Sequence, residues 1–342
     1  MKIIVDAMGG DFAPDEIVKG AVRAAQELSV GVILVGKGEE ILKSLDRAGY
    51  GSVPDGVEIA NATETIEMCE DPVTAIRNKR DSSMVVGLRM LKDGQGDAMV
   101  SAGSTGALLS GATLIVKRIK GIRRASLAPM IPNKKNGTII IDAGANSDCT
   151  PEYLVQFALM GSYYAGTVLG FDNPRVGLLN IGTEESKGAE LQVNTYPLLQ
   201  KLHEEGRINF VGNVEAKSIM DGVCDVLVCD GFSGNVLLKA IEGMSKFLGR
   251  EIKNIFLSGK KSKVAYLAVR EGFNDLADRM NADNVGGTVM LGISGVVVKA
   301  HGSSKADAIV SAIRNAKIAV EKQVPQGIKE HVDALRTGLE DA

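Results

Sequence analysis

The strongest constraint in this sequence is a recurring order: a short apolar run, a glycine-rich polar turn, then a helical pattern. Runs at 2–6 (KIIVD), 30–35 (VGVILV), 57–60, 98–101 (AMVS), 138–142 (TIIID), 175–181 (RVGLLNI), 208–211 and 223–230 (VCDVLVCD) are continuous rather than alternating. Continuous runs suit parallel strands covered on both faces. Helical patterns lie between them at 15–28, 38–48, 72–93, 105–119, 151–168, 188–204 and 233–257. A further helix is expected at 305–322, after a Gly/Val-rich strand region near 288–298. Pro72 behind Asp71 reads as a helix start with an acidic cap and proline at the first helical position. The expected class is α/β with a mainly parallel sheet. No repeat, low-complexity linker or sharp boundary divides the chain, so 1–342 is expected to form one domain.

The glycines gather where the strands end. Gly9, Gly10 and Asp11 follow the first run; Gly103, Ser104, Thr105 and Gly106 follow 98–101; Gly144 and Asn146 follow 138–142. Gly182, Thr183 and Lys187 follow 175–181, and Gly231, Ser233, Gly234 and Asn235 follow Asp230. Ligands of open parallel sheets bind outside the carboxyl ends of the strands. Five polar, glycine-rich turns at that edge point to backbone N–H groups facing an anion such as phosphate. Tight turns needing positive φ explain any one of them equally well. No GxxxxGK[ST], no GxGxxG after the first run and no GxSxG occurs, which excludes a Walker site, leaves a standard dinucleotide fold unsignalled and gives no nucleophile elbow.

Composition narrows the functions. Forty glycines in 342 residues are far from a strict three-residue period, which excludes collagen, and a net charge of −3 is too near neutrality for a general nucleic-acid binder. Six Tyr, eight Phe and no Trp leave few stacking platforms for bases or sugars. Cys69, Cys149, Cys224 and Cys229 form no CxxC, so neither a disulfide framework nor a zinc site is signalled, and no metal or cofactor is expected. His203 and His331 read as solvated; His301, beside Gly302-Ser303-Ser304, reads equally as a helix-entry residue or an acid or base. The apolar part of MKIIVDAMGG is too short for a signal peptide, and the stretch Val285 to Val298 is interrupted by four glycines. A soluble, cytoplasmic protein is expected.

Six ordered segments carry a resemblance: KIIVDAMGGDFAPDEIVKGA at the start, DPVTAIRNKRDSSM at 71–84, SAGSTGA at 101–107, IDAGAN at 141–146, NIGTEESKGAE at 180–190 and CDGFSGNV at 229–236. Together they resemble the bacterial phosphate acyltransferase family of phospholipid synthesis, from end to end of the chain. The resemblance implies transfer of a fatty acyl group from acyl carrier protein to inorganic phosphate. It also implies a three-layer α/β/α fold similar to that of isocitrate and isopropylmalate dehydrogenases and of phosphotransacetylase, and a homodimer. The downstream membrane glycerol-3-phosphate acyltransferase is a further partner it implies.

The residues are compatible with that chemistry. Phosphate supplies the nucleophilic oxygen, so no Ser-His-Asp or Cys-His arrangement is needed; a clamp for phosphate and donors for an oxyanion are. Lys187, Asn146, Asn235 and Asp230 are the candidate catalytic residues, with Arg77 and Arg80 as further clamp cations that a solvated helix face explains equally well. Ser104, Thr105, Asn146, Thr183 and Asn235 are the candidate donors. Two other readings stay open: a dehydrogenase of the same fold using NAD and a divalent metal, and a non-enzymatic membrane-docking scaffold. Asp225 and Asp230, five apart on one expected strand, point to opposite faces and cannot pair for a metal.

Residues 246–270 carry seven Lys or Arg against Glu251 alone. Phe247, Leu248, Ile252, Ile255 and Phe256 recur at helical spacing before Ser258-Gly259, and Val264, Leu267 and Ala268 resume the pattern. A protruding basic amphipathic hairpin near 240–281 is expected, with Lys253, Phe256, Leu257, Lys260, Lys261 and Lys263 contacting an anionic membrane surface or the acidic carrier protein. An ordinary hairpin packed on the body or on a second subunit is the alternative. The Gly/Val-rich run 285–298 and the helix from 233 offer more apolar surface than one sheet face needs, which also favours a homodimer.

Overall fold

The computed structural model describes residues 1–280 and 286–340, without the side chains of 260, 273–280 and 333–340. Val285, the far end of the expected hairpin at 281 and the side chain of Lys260 therefore lie outside the described residues. Two sheets organise the chain. The first has seven strands, in the order β3 (Val57–Asn61), β2 (Gly31–Gly36), β1 (Lys2–Asp6), β4 (Ala98–Ser101), β12 (Val296–Lys299), β11 (Thr288–Leu291) and β5 (Ser126–Leu127). From β3 to β12 the neighbours are parallel; β11 runs antiparallel to both β12 and β5. The second sheet has five strands, in the order β6 (Met130–Ile131), β7 (Thr138–Ile141), β10 (Val226–Val228), β8 (Arg175–Asn180) and β9 (Asn209–Glu215). Only β6 is antiparallel there.

The continuous apolar runs are explained by what covers them. Ile3 and Val5 of β1 face a core shared with α1 (Asp15–Leu28) and α10 (Ala306–Glu321), whereas Ile4 between them faces the side of α3 (Pro72–Asn78), α4 (Ser83–Lys92) and α5 (Thr105–Gly111). The same alternation holds in β7: Ile139 and Ile141 pack toward Phe157 of α6 (Pro151–Thr167), and Ile140 packs with Leu227 and the side of α8 (Gly231–Leu257). The first core runs unbroken from α1 to α6, so both sheets share it. Helices α2 (Gly38–Arg47), α7 (Glu190–Glu204), α9 (Lys260–Met280) and α11 (Val324–Glu340) complete the chain.

Several expected elements differ. The helix expected at 72–93 is two helices, because Asp81 turns back to accept hydrogen bonds from Thr63 and Ser82 starts a new helix by capping Val85. The helix expected to 119 ends as α5 plus a π turn over Ala112–Val116, closed by Lys117 at φ 77°. The strand expected at 223–230 narrows to β10: Asp225 before it is held by the Arg175 fork at 2.8 and 3.0 Å, and Asp230 after it caps α8. The 288–298 region is not spare apolar surface, since β11 and β12 are inner strands whose valines are buried in this chain's own sheet. His331 is not solvated: it is half-buried beside Tyr163, with ring centroids 5.9 Å apart, and burial lowers its pKa.

Phe157 is fully buried where the cores of the two sheets join. Truncation of a buried Phe to Ala costs about 3–5 kcal/mol, so Phe157→Ala is expected to lower the thermal midpoint sharply in a denaturation scan.

Candidate active site

In the first sheet β1 lies between β2 and β4, so the chain leaves in opposite directions on its two sides, and a crevice opens between the loops after β1 and β4. Those loops are pressed together. A Cβ on Gly9 would lie 2.6 Å from Asp6 Oδ2 and 2.7 Å from the Gly103 nitrogen. Buried Asp6 accepts from the Ser101 hydroxyl at 2.7 Å and from the Met8 N–H at 3.2 Å. Burial raises its pKa against those bonds. Gly10, at φ 114°, packs on Ala102, and the Asp11 N–H donates to the Gly302 carbonyl at 2.8 Å, adding the loop after β12. Ser104 caps α5 through the Ala107 N–H, and Thr105 opens that helix. Gly106 has Pro72 where a side chain would stand, which seats the start of α3 beside this turn. Arg77 and Arg80 remain exposed on and just beyond α3, with Arg80 Nε donating to the Arg77 carbonyl.

Lys299 was missed by the sequence reading. It ends β12, is buried, and its ammonium donates to the carbonyls of Ala102 (3.4 Å) and Ala300. Desolvation lowers its pKa to about 8; Lys239 on α8 adds to that, while Asp6 and Asp11 oppose it. The available signal was a lysine closing an otherwise apolar VVVK run.

In the second sheet Asp142 is the organising group. Its carboxylate accepts from Leu127 N–H (2.9 Å), Ala145 N–H (3.1 Å), Asn146 N–H (2.7 Å) and the Asn146 side-chain amide (2.9 Å). The second amide hydrogen of Asn146 goes to the Ala125 carbonyl, so both of its donors act within the protein. The Gly231 N–H donates to the Asn146 carbonyl at 2.7 Å, and a Cβ on Gly234 would stand 2.0 Å from the Asp142 carbonyl oxygen. Asp230 caps α8 by accepting from the Ser233 N–H at 2.8 Å. Asn146 and Asp230 thus hold the loops, while a Cβ on Gly144 would lie 3.5 Å from Cγ of exposed Asn235.

Beside β10, the loop after β8 is folded by Asn180, whose amide donates to the Lys187 carbonyl at 2.9 Å and whose oxygen accepts from Ile181 N–H. Gly182, Thr183 and Lys187 line it, with the Thr183 and Lys187 side chains exposed. Helix α8 links the two edges, starting at the Asp142 cluster and carrying Lys239 to the neighbourhood of Lys299. Lys253, Phe256 and Leu257 are on the last turns of α8, and Lys261 and Lys263 on α9. At 1.5 Å per residue they lie roughly 35 Å along the rod from its first turn. They stand apart from the strand-end loops. His301 is exposed and bonded to Ser303 at 2.8 Å.

The fold defines a class: α/β proteins built on mainly parallel sheets, an architecture that solved phosphotransacetylases share. A phosphotransacetylase from Streptococcus pyogenes superposes with TM-score 0.63 at 19% identity, over 94% of each chain. A 4-hydroxythreonine-4-phosphate dehydrogenase from Klebsiella pneumoniae gives 0.53 at 14% identity, over 93% of this chain and 99% of that one. The sequence is narrower. A family model described as "Fatty acid synthesis protein" matches residues 1–327. A phosphate acyltransferase of Desulfitobacterium hafniense (strain Y51) is 48% identical over 341 residues, 99% of this chain and 100% of that one. One from Clostridium kluyveri is 46% identical over 335 residues, 98% of each chain. This chain belongs to the phosphate acyltransferase family, as the motif resemblance implied.

The glycine contacts predict a graded outcome. Gly103→Ala meets mainly the flexible end of Met84, whereas Gly9→Ala and Gly234→Ala meet fixed backbone. Overpacking of this kind costs about 1–3 kcal/mol. Gly9→Ala and Gly234→Ala are expected to lose phosphate affinity and thermal stability together, with Gly103→Ala close to the parent in both.

Proposed function

We propose that this enzyme transfers a fatty acyl group from an acyl carrier protein thioester to inorganic phosphate, giving acyl phosphate for phospholipid synthesis. Near-full-length similarity to phosphate acyltransferases carries the reading. In this mechanism a phosphate oxygen attacks the thioester carbonyl, the carbonyl oxygen becomes an oxyanion, and the carrier thiolate leaves as the tetrahedral centre collapses. The protein's part is to orient phosphate and stabilise that charge. Lys187 and Asn235, whose side chains are exposed at the loops, act on the reacting groups; Asn146 and Asp230 position the loops. The thiols support direct attack. Burial pushes Cys149 and Cys224 up to about 12 and Cys229 well above its usual value, so none of the three offers a thiolate nucleophile near neutrality.

The hairpin of α8 and α9 supports the interaction half of the reading. Of the 27 residues of α8 only Gly231 and Gly234 are buried, and Phe232, Val236, Met244, Phe247 and Leu248 stand exposed along it. A second copy of the chain covers this stripe, making a homodimer. The basic tip, with exposed Lys253, Lys261 and Lys263 around Leu257, Val264 and Leu267, meets an anionic membrane surface reversibly. There, each Lys near the surface contributes about 1 kcal/mol. No described helix is long and apolar enough to cross a membrane. The enzyme then works in the cytoplasm and delivers its product at the bilayer, where the membrane glycerol-3-phosphate acyltransferase uses it.

Acyl phosphate formation from the carrier thioester, strictly dependent on added phosphate, is the decisive assay; no product with both substrates present would overturn the reading. Lys187→Ala is expected to weaken phosphate use about 10- to 100-fold, the loss of one charge-assisted contact, without unfolding. Co-sedimentation with anionic liposomes at low salt is expected for the parent, with loss of binding when Lys253, Lys261 and Lys263 are changed to Glu. Equal binding by the triple variant would remove the tip from the contact.

A further inference from the structure

Asp6, Ser101 and Lys299 stand at one level at the carboxyl ends of three adjacent parallel strands. Lys299 pairs in register with Ser101, and Ser101 follows Val100, the partner of Val5, which places it level with Asp6. Ser101 donates its hydroxyl to Asp6 and accepts the Gly103 N–H at 3.1 Å. Lys299 donates to the Ala102 carbonyl, so the Ala102–Gly103 peptide is held at both ends, and to the Ala300 carbonyl of the loop that receives Asp11 N–H. Among the described residues no carboxylate forms an ion pair with this ammonium. Buried charges are ordinarily paired, and a lysine with only carbonyl partners is costly to keep. The charged groups facing it are Asp6 from β1, Asp11 from the loop after β1 and Lys239 from α8. Lys239 is itself paired with Glu242 at 2.8 Å, and Asp6 is engaged by Ser101 and Met8.

We infer that Lys299 is the positioning residue of the acceptor pocket: it clamps the loops after β4 and β12 and supplies the buried positive charge that favours doubly charged phosphate between them. The inference rests on the acyl-transfer reading for the identity of the acceptor. In this arrangement a site of glycine turns with few cations favours a dianion because the charge lies behind the loops. A lysine that loses its proton near pH 8 also sets a limit. Below about 8 the charge is present, and as pH rises through that value it is lost. Phosphate is already mainly the dianion there, so a decline in affinity reports the protein.

The test measures inorganic phosphate binding by calorimetry, and the KM values for phosphate and thioester, from about pH 7 to 9.5 in the parent, Lys299→Arg and Lys299→Met. The Met variant is expected to lose phosphate affinity about 10- to 100-fold, with thioester KM unmoved. The Arg variant is expected to keep affinity and to lose the alkaline decline, which a merely structural lysine would not produce. Parental affinity in the Met variant, equal losses in Met and Arg, or a flat parental pH profile would each overturn the inference. Should the Met variant not fold, the Arg variant and the parental profile decide it. Lys299-dependent phosphate binding without any acyl phosphate product would sink the acyl-transfer reading and leave the clamp standing. Product formation with an unmoved phosphate KM in the Met variant would do the reverse.

Discussion

The join between the two sheets depends on where one carboxylate finds its hydrogen bonds. Asp142 directly follows β7 of the second sheet, yet one of its donors is Leu127 of β5, the last strand of the first. The return bond, Ala143 N–H to the Leu127 carbonyl at 3.1 Å, makes this a two-way tie. The same carboxylate shapes the 143–146 turn, whose Asn146 carbonyl receives the first amide of α8. One buried group thus sets the junction of the sheets, the turn and the start of the longest helix. A buried carboxylate left without these donors would be costly, so the turn and the junction stabilise one another.

The glycine turns and the polar anchors are two halves of one design. Glycines let backbone approach backbone to distances no Cβ allows, and Asp6, Ser101, Asn146 and Asp230 then fix the peptide planes so brought together. Dipoles fixed before substrate arrives need no reorganisation when charge develops. The loop of Lys187 differs: Asn180 folds it from behind, but its side chains face solvent.

Much of this was legible in the residues, and the misses have physical causes. β-branched runs ending in glycine marked nearly every parallel strand, because burial on both faces leaves no room for alternation. Antiparallel β5 and β6, two residues each, are too short to leave a pattern. The break at 79–82 was written in Asp81 and Ser82, cap-forming residues, but an apolar period continuing across them masked it. The π turn at Ala112–Val116 left no trace, since its side chains suit an α-helix equally well. Apolarity at 288–298 measured coverage without saying by which chain, and the cover is internal. A lone charge after an apolar run usually marks a strand entering solvent, so the VVVK pattern by itself does not set Lys299 apart.

Helix α8 is one hydrogen-bonded ladder in two environments. Its first turn is welded into the core by Gly231 and Gly234, while the following residues share only partial burial and the company of α9, as in the Phe256–Tyr266 ring contact at 5.3 Å. Opening free energy along a protein follows local burial. Amide protons of α8 should therefore exchange on a gradient, slow at the sheet edge and fast toward Ser258, so that the ladder records along its own length where the hold of the core ends.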